Sequence, residues 1–283
     1  MKKYLSLVLF AHTIFAMPFA FIGFFLALST TENSFDWMKL VFMILCMVFA
    51  RNSAMAFNRY LDRNFDSKNP RTALRDIPAG RIPAKNALLF TLINCTLFIF
   101  TTWFINPVCF YLSPVALAVV LGYSFTKRFT PLCHLILGVG LGLAPLGAYL
   151  VVTGKFDLLP VFFSLAVVCW VSGFDIIYAL QDDEFDRQQK LYSIPAWLGR
   201  KKALTVSSVL HLFSVIFVIL PLFFTTLGGF YIAGVVFFTG LLIYQHSLVK
   251  PDDLSKVGLA FGTTNGIASV IFALFFLLDV FFR

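Results

Sequence analysis

Long apolar runs alternate with short polar breaks along the whole chain, at 5–28, 36–57, 86–105, 107–125, 132–152, 158–180, 203–225, 228–248 and 257–280. Each run is near or above the roughly 20 residues that a helix needs to cross a bilayer. The pattern predicts an all-α polytopic membrane protein of nine spans, with residues 1–283 forming a single integral-membrane domain. The first run could be taken for a signal peptide, since Lys2 and Lys3 precede it and small residues lie between Ala16 and Ala20. It continues through Phe19, Phe21, Ile22, Phe24 and Phe25, longer than a signal core, and is read as a span.

The polar breaks are unequal. Residues 29–34, Asn106-Pro107, 153–157 and 227–229 are short turns, whereas 59–85 and 181–202 are long and rich in charge. Composition agrees with the spans: 59% hydrophobic residues, 13% charged and a mean hydropathy of +0.87 overrule the two soluble domains that length alone suggests. A net charge of +8 raises nucleic acid as a partner. The spans remove that reading, because all Lys and Arg except Lys39, Lys155 and Arg283 fall on one side of the membrane. The positive-inside rule makes that side cytoplasmic, together with the N-terminus and the segments 59–85 and 181–202. The lipid bilayer is then the expected partner. The five cysteines are odd in number, lie in or beside apolar runs and form no Cys-x-x-Cys pair, so they read as small core residues. His12, His134, His211 and His246 are scattered, and a His/Cys metal site is not expected.

The two long segments are related. Each opens within an acidic cluster, Asn58-x-x-x-Asp62-x-x-x-Asp66 in one and Asp175-x-x-Tyr178-x-x-x-Asp182-x-x-x-Asp186 in the other. Each later reads Ile-Pro-Ala, at Ile77 and Ile82 in the first and at Ile194 in the second. Each closes on the start of a span, at Lys85-Asn86-Ala87-Leu88 and Lys201-Lys202-Ala203-Leu204. This suggests two pseudo-repeated helical halves related by an axis along the membrane normal.

Residues four apart share a helix face, so Asn58, Asp62 and Asp66 should line one stripe and Asp175, Asp182 and Asp186 another. Facing each other, the stripes would gather four or five carboxylates. Two like charges about 4 Å apart repel by about 4 kcal/mol at an effective dielectric near 20, so such a cluster calls for cations. An oxygen-only ligand set fits a hard ion such as Mg²⁺, whose coordination is commonly completed by phosphate. A diphosphate is the natural missing ligand, with Arg71, Arg75 and Tyr123-x-x-x-Lys127 at hand for its charge. Asp183, Glu184, Asp252 and Asp253 read instead as solvated loop charges. Acidic residues in membrane helices also suit an ion-coupled transporter, but that function expects them near the midplane rather than at the ends of two spans.

These motifs resemble the UbiA superfamily of intramembrane prenyltransferases. The likeness rests on Asn58-Arg59-x-x-Asp62-x-x-x-Asp66, Asn69-Pro70-Arg71-Thr72, Ile77-Pro78-Ala79-Gly80, Tyr123-x-x-x-Lys127 and Asp175-x-x-Tyr178-Ala179-x-x-Asp182-x-x-x-Asp186. Arg59 stands where the family commonly has Asp, so residue 59 is given no metal role. The resemblance implies nine helices around a central cavity, in a bacterial inner membrane, with the active site facing the cytoplasm. It is closest to the 4-hydroxybenzoate polyprenyltransferase-like group, which includes a menaquinone branch acting on 1,4-dihydroxy-6-naphthoate. The implied substrates are a polyprenyl diphosphate and an aromatic acid, with haem, chlorophyllide or lipid acceptors as the alternatives. Mg²⁺ would be held by Asn58, Asp62, Asp66, Asp182 and Asp186, diphosphate by Arg71, Arg75, Lys127 and Tyr123, and the cation or acceptor by Tyr178 and His12. Asp175 is expected to join Asp62, Asp66, Asp182 and Asp186 in catalysis.

Overall fold

The structure is a computed structural model that describes Leu7 and residues 16–282. Its helices are α1 (Met17–Thr30), α2 (Trp37–Asp66), α3 (Ala84–Trp103), α4 (Pro107–Thr126), α5 (Cys133–Thr153), α6 (Leu158–Ala179), the short α7 (Asp183–Gln188) and α8 (Ile194–Leu198), then α9 (Arg200–Ile219), α10 (Gly229–Leu248) and α11 (Asn265–Phe282). Among the described residues, eight helical segments are long and apolar enough to span a membrane. α1 is a shorter apolar helix, and the beginning of the first expected span lies outside the described residues.

Local signals set the helix ends. Asp36, Asn106 and Asp157 accept hydrogen bonds from the amides of Met38 (2.8 Å), Cys109 (2.9 Å) and Leu159 (3.1 Å), satisfying donors that have no partner in a first turn. α5 ends on Gly154 at φ 63°, the left-handed conformation that glycine adopts without penalty. α2 has 30 residues, about 45 Å, against a hydrocarbon core of about 30 Å. Roughly three turns therefore project beyond the bilayer, and Asn58, Asp62 and Asp66 ride on that overhang.

Helices adjacent in the chain pack side by side: α2 on α3, α4 on α5, α5 on α6, α6 on α9, α10 on α11. α1 closes the circuit, resting on α11 and on α5. The α1–α5 approach is close enough that a Cβ on Gly23 would collide with the backbone carbonyl of Pro145. Gly138 and Gly142 likewise let α5 lie against Val168 and Ser164 of α6, the small-residue contact that membrane helices use in place of a hydrophobic drive.

The two halves differ in filling. The C-terminal half is packed with aromatic rings: Trp170 meets Phe19 at 5.4 Å, Phe174 at 5.1 Å and Phe238 at 5.9 Å, and Phe272 completes the cluster at 5.3 Å from Phe238. The N-terminal half encloses an apolar cavity of about 350 Å³ instead, walled mainly by α2, α4 and α5. Small side chains on these walls, among them Ala50, Ala54, Ala116, Gly140 and Gly147, leave the space. Its polar lining includes Arg51 on α2 and Tyr123 on α4, with Thr102 and Ser113.

Candidate active site

At the acidic end, Asp62 and Asp66 are buried, and the Asn58 amide donates to Asp62 Oδ2 at 3.1 Å, so the first stripe forms as spaced. The segment after α2 folds back over it. Thr72 Oγ1 donates to the Asp66 carbonyl (3.1 Å), and Asn69 Oδ1 accepts from the Arg71 amide (3.0 Å), fixing a tight turn. The turn delivers three side chains across the site. Asn69 Nδ2 reaches Asp182 Oδ1 at 2.9 Å, Arg75 meets Asp66 Oδ1 at 2.7 Å, and the Arg71 guanidinium forks onto both oxygens of Asp182. Arg71 Nη1 also donates to the Tyr178 hydroxyl at 2.6 Å. From the end of α4, Lys127 Nζ lies 3.1 Å and Arg128 Nη2 3.3 Å from Asp62, so both adjacent bases engage it.

The second stripe differs from its expected form. α6 stops at Ala179, and a single 3-10 turn, Leu180–Asp182, precedes α7, so Asp175, Asp182 and Asp186 do not sit on one continuous helix. Asp183, Glu184 and Asp186 occupy the first turn of α7, where negative charge favours starting a new helix. Asn69 and Arg71 hold Asp182 at the junction. Asp183 is not a solvated loop charge. It is buried and bound by Arg187 of the same helix (2.7 Å) and by Arg200 (2.9 Å), which fastens α7 to the start of α9. Glu184 is exposed, as expected of a loop charge. Asp186 is buried, bonded to Ser193, and within the field of Lys127.

Asp175 has a partner that spacing did not reveal. His134, at the start of α5, places Nδ1 2.6 Å from Asp175 Oδ2, while its Nε2 accepts from the Ile194 amide at 3.3 Å. The amide contact fixes the tautomer: Nε2 is the acceptor and Nδ1–H donates to the carboxylate. The second Ile-Pro-Ala segment is thereby docked on the site. Tyr123 lies beside Asp62 and Asp175 and lines the cavity. Arg51, on the same α2 face as Asn58, also lines the cavity, and its Nε is buried with no hydrogen-bond partner among the described residues. His12 lies outside the described residues.

The carboxylates thus share one end of the molecule but interleave with bases instead of facing each other bare. Among the described residues no three His, Cys, Asp or Glu side chains are close enough together to hold one ion as they stand. The donor chemistry nonetheless fits a hard divalent cation. All candidate ligands are oxygens, and Asp66 Oδ2 is buried with no hydrogen-bond partner among the described residues, an open position on an anionic oxygen. Burial alone would lower the pKa of Arg71, but its bonds to Asp182 and Tyr178 hold it above the ordinary guanidinium value. The fork is a fixed cation in any physiological buffer.

Known proteins similar to this chain are numerous. The 4-hydroxybenzoate octaprenyltransferase of Tolumonas auensis is 30% identical over 223 residues, 79% of this chain and 78% of its own. That of Photobacterium profundum is 30% identical over 234 residues, 82% and 81%. Among solved structures, the apo UbiA homologue of Aeropyrum pernix K1 superposes with a TM-score of 0.81 at 29% identity, covering 95% of this chain and 96% of that one. A UbiA homologue of Archaeoglobus fulgidus, bound to GPP and Mg²⁺, has the same fold, with a TM-score of 0.74 at 20% identity over 98% and 99% of the two chains. The transporter alternative falls with these likenesses. Residues 16–278 match the UbiA prenyltransferase family, and the chain, a multi-pass membrane enzyme, belongs to it.

Proposed function

We propose that this single-domain enzyme transfers a polyprenyl group from polyprenyl diphosphate to an aromatic acid, 4-hydroxybenzoate or 1,4-dihydroxy-6-naphthoate, in quinone biosynthesis. One observation carries the reading. Bases suited to diphosphate, Arg71, Arg75 and Lys127, are paired with carboxylates suited to Mg²⁺, Asp182, Asp66 and Asp62, while Arg51, with its Nε buried, lines an apolar cavity nearby. Asn58, Asp62, Asp66, Asp182 and Asp186 would hold Mg²⁺, which when bound offsets charge on the diphosphate leaving group.

The remaining work belongs to side chains. Arg71, Arg75 and Lys127 turn from their carboxylates to the phosphate oxygens and stabilise the charge that develops as the allylic C–O bond breaks, its electron pair departing with diphosphate. The polyprenyl chain lies in the apolar cavity, whose walls exclude water from the allylic cation. Arg51 pairs with the acceptor carboxylate, which distinguishes an aromatic acid from an uncharged lipid acceptor. A ring carbon ortho to the acceptor hydroxyl forms the new C–C bond. Its proton passes to Asp175, which His134 holds in place beside Tyr123. With the basic, acidic end cytoplasmic by the positive-inside rule, the enzyme sits in a bacterial inner membrane and receives both polar substrates from the cytoplasm.

Diphosphate release by the detergent-solubilised protein tests this, with a polyprenyl diphosphate, Mg²⁺ and each acid in turn, against an EDTA control. Metal-dependent release with one acid assigns the acceptor. No release with either acid, alongside release with an uncharged acceptor, would overturn the role given to Arg51.

A further inference from the structure

The last span begins with an irregularity. Residues Leu259–Thr264 form a π-helical turn before α11, wider than an α-helix by one residue. Its displaced carbonyls are held by amides buried within the apolar bundle: Gln245 Nε2 donates to the Ala260 carbonyl at 2.8 Å, and Asn265 Nδ2 donates to Ala260 at 3.1 Å and to Phe261 at 2.9 Å. Asn265 is itself oriented by Trp170, whose indole N–H donates to Asn265 Oδ1 at 3.0 Å. Buried amides in a membrane helix are costly, and this pair is spent on one local distortion.

The distortion has a visible product. Phe261, inside the π turn, stacks on Tyr178 with ring centroids 4.1 Å apart at 28°, and meets Phe174 edge-on at 5.5 Å. On a regular helix the loss of one residue from the turn would rotate Phe261 by about 100° and remove it from the ring. Tyr178 is the aromatic residue in contact with Arg71: its hydroxyl accepts from Arg71, and the Arg71 guanidinium carbon lies 4.9 Å from its ring centroid.

We propose that Phe261 is a positioning residue for prenyl transfer, an inference that rests on the function proposed above. The ring that now sits against the guanidinium of Arg71 is built to face a cation. When Arg71 turns to the diphosphate, the same ring is presented to the allylic carbon, and Phe261 keeps it from rotating away. The cation then has two fates. Capture by the acceptor ring carbon gives prenylated acid, with loss of a ring proton, and capture by water gives the prenyl alcohol and a proton. Diphosphate leaves in both. A fixed ring lengthens the time for the first and excludes water from the second.

The test is the ratio of prenylated acid to released diphosphate in the full-length enzyme, for F261L, F261Y and F261W. F261L should lower the ratio by about fivefold or more, the scale of one lost ring–cation contact. F261Y and F261W, which retain the stack, should restore at least half of it, and all variants should melt within a few degrees of the parent. An unchanged ratio in F261L overturns the proposal, as does a loss in F261Y equal to that in F261L. A second readout separates this inference from the function beneath it: nitration of Tyr178 by tetranitromethane, followed by mass spectrometry. Faster nitration in F261L supports the positioning role even if the parent enzyme proves to turn over no prenyl diphosphate, and equal nitration overturns it.

Discussion

At Arg51 charge and surroundings are at odds. A guanidinium with a buried, unpartnered Nε on the wall of an apolar cavity is expensive to keep, and an arriving carboxylate would relieve the cost. Replacing it with leucine should raise the KM for the aromatic acid by about tenfold or more, the worth of a charge-assisted hydrogen bond of roughly 1.5–3 kcal/mol. The KM for the prenyl donor should stay within about twofold, since lost contacts to one substrate leave the other in place. Initial rates against each substrate check this, and equal rises in both constants would show that Arg51 merely supports the fold. His134 makes a different claim. H134L would leave the Asp175 carboxylate without its 2.6 Å partner and the Ile194 amide without its acceptor. The expected result is a kcat loss of about tenfold or more with donor affinity retained, as for an interaction made in the transition state. Equilibrium binding of the prenyl diphosphate gives the comparison.

The elements show which features the sequence discloses. Spans, their order and the first acidic stripe follow from hydropathy and i,i+4 spacing, because those are local properties. α2 keeps Asn58, Asp62 and Asp66 on one face for that reason. The second stripe broke at Leu180–Asp182 because long-range bonds from Asn69 and Arg71, more than 100 residues away, hold the junction. His134 with Asp175, Asp183 with Arg200, and the π turn with Gln245 escape a sequence reading for the same cause: each partner comes from another helix. Glycines at helix contacts belong in this group too. A Cβ on Gly173 would meet the imidazole of His211, itself tied to His246 at 2.9 Å and to the Trp170 carbonyl at 3.2 Å. On Gly23 the obstacle is the Pro145 backbone, which cannot swing aside. G23A should therefore separate α1 from α5 and destabilise the protein by about 1–3 kcal/mol, the usual cost of overpacking. Thermal unfolding in one detergent, read beside G147A, where a Cβ meets nothing within 4 Å, isolates the effect.

Taken whole, the molecule stores its two kinds of substrate-binding charge against each other. Asp62 is held by Lys127 and Arg128, Asp66 by Arg75, and Asp182 by Arg71. This interleaving solves the folding problem that the sequence poses, since bare carboxylates at one end of a bundle would repel. It also sets the terms of binding. A metal ion arriving alone must displace bases that then have no counter-charge, and a diphosphate arriving alone must displace carboxylates with the same result. Arriving together, each releases what the other needs. The expected outcome is positive coupling between Mg²⁺ and inorganic diphosphate, with each tightening the other's binding by about tenfold or more, in the ordinary range of linkage free energies. Titration calorimetry of the detergent-solubilised protein measures both legs of the cycle, which must agree if the coupling is real. R75Q removes one base from the exchange, so Mg²⁺ alone should bind this variant more tightly than the parent, while the gain from added diphosphate should shrink. Equal Mg²⁺ affinity with and without diphosphate in the parent would mean that the ion pairs play no part in loading. The reason they persist would then lie in folding alone: three carboxylates, each held by at least one base, keep the overhanging turn of α2, the end of α4 and the start of α7 in register around the site.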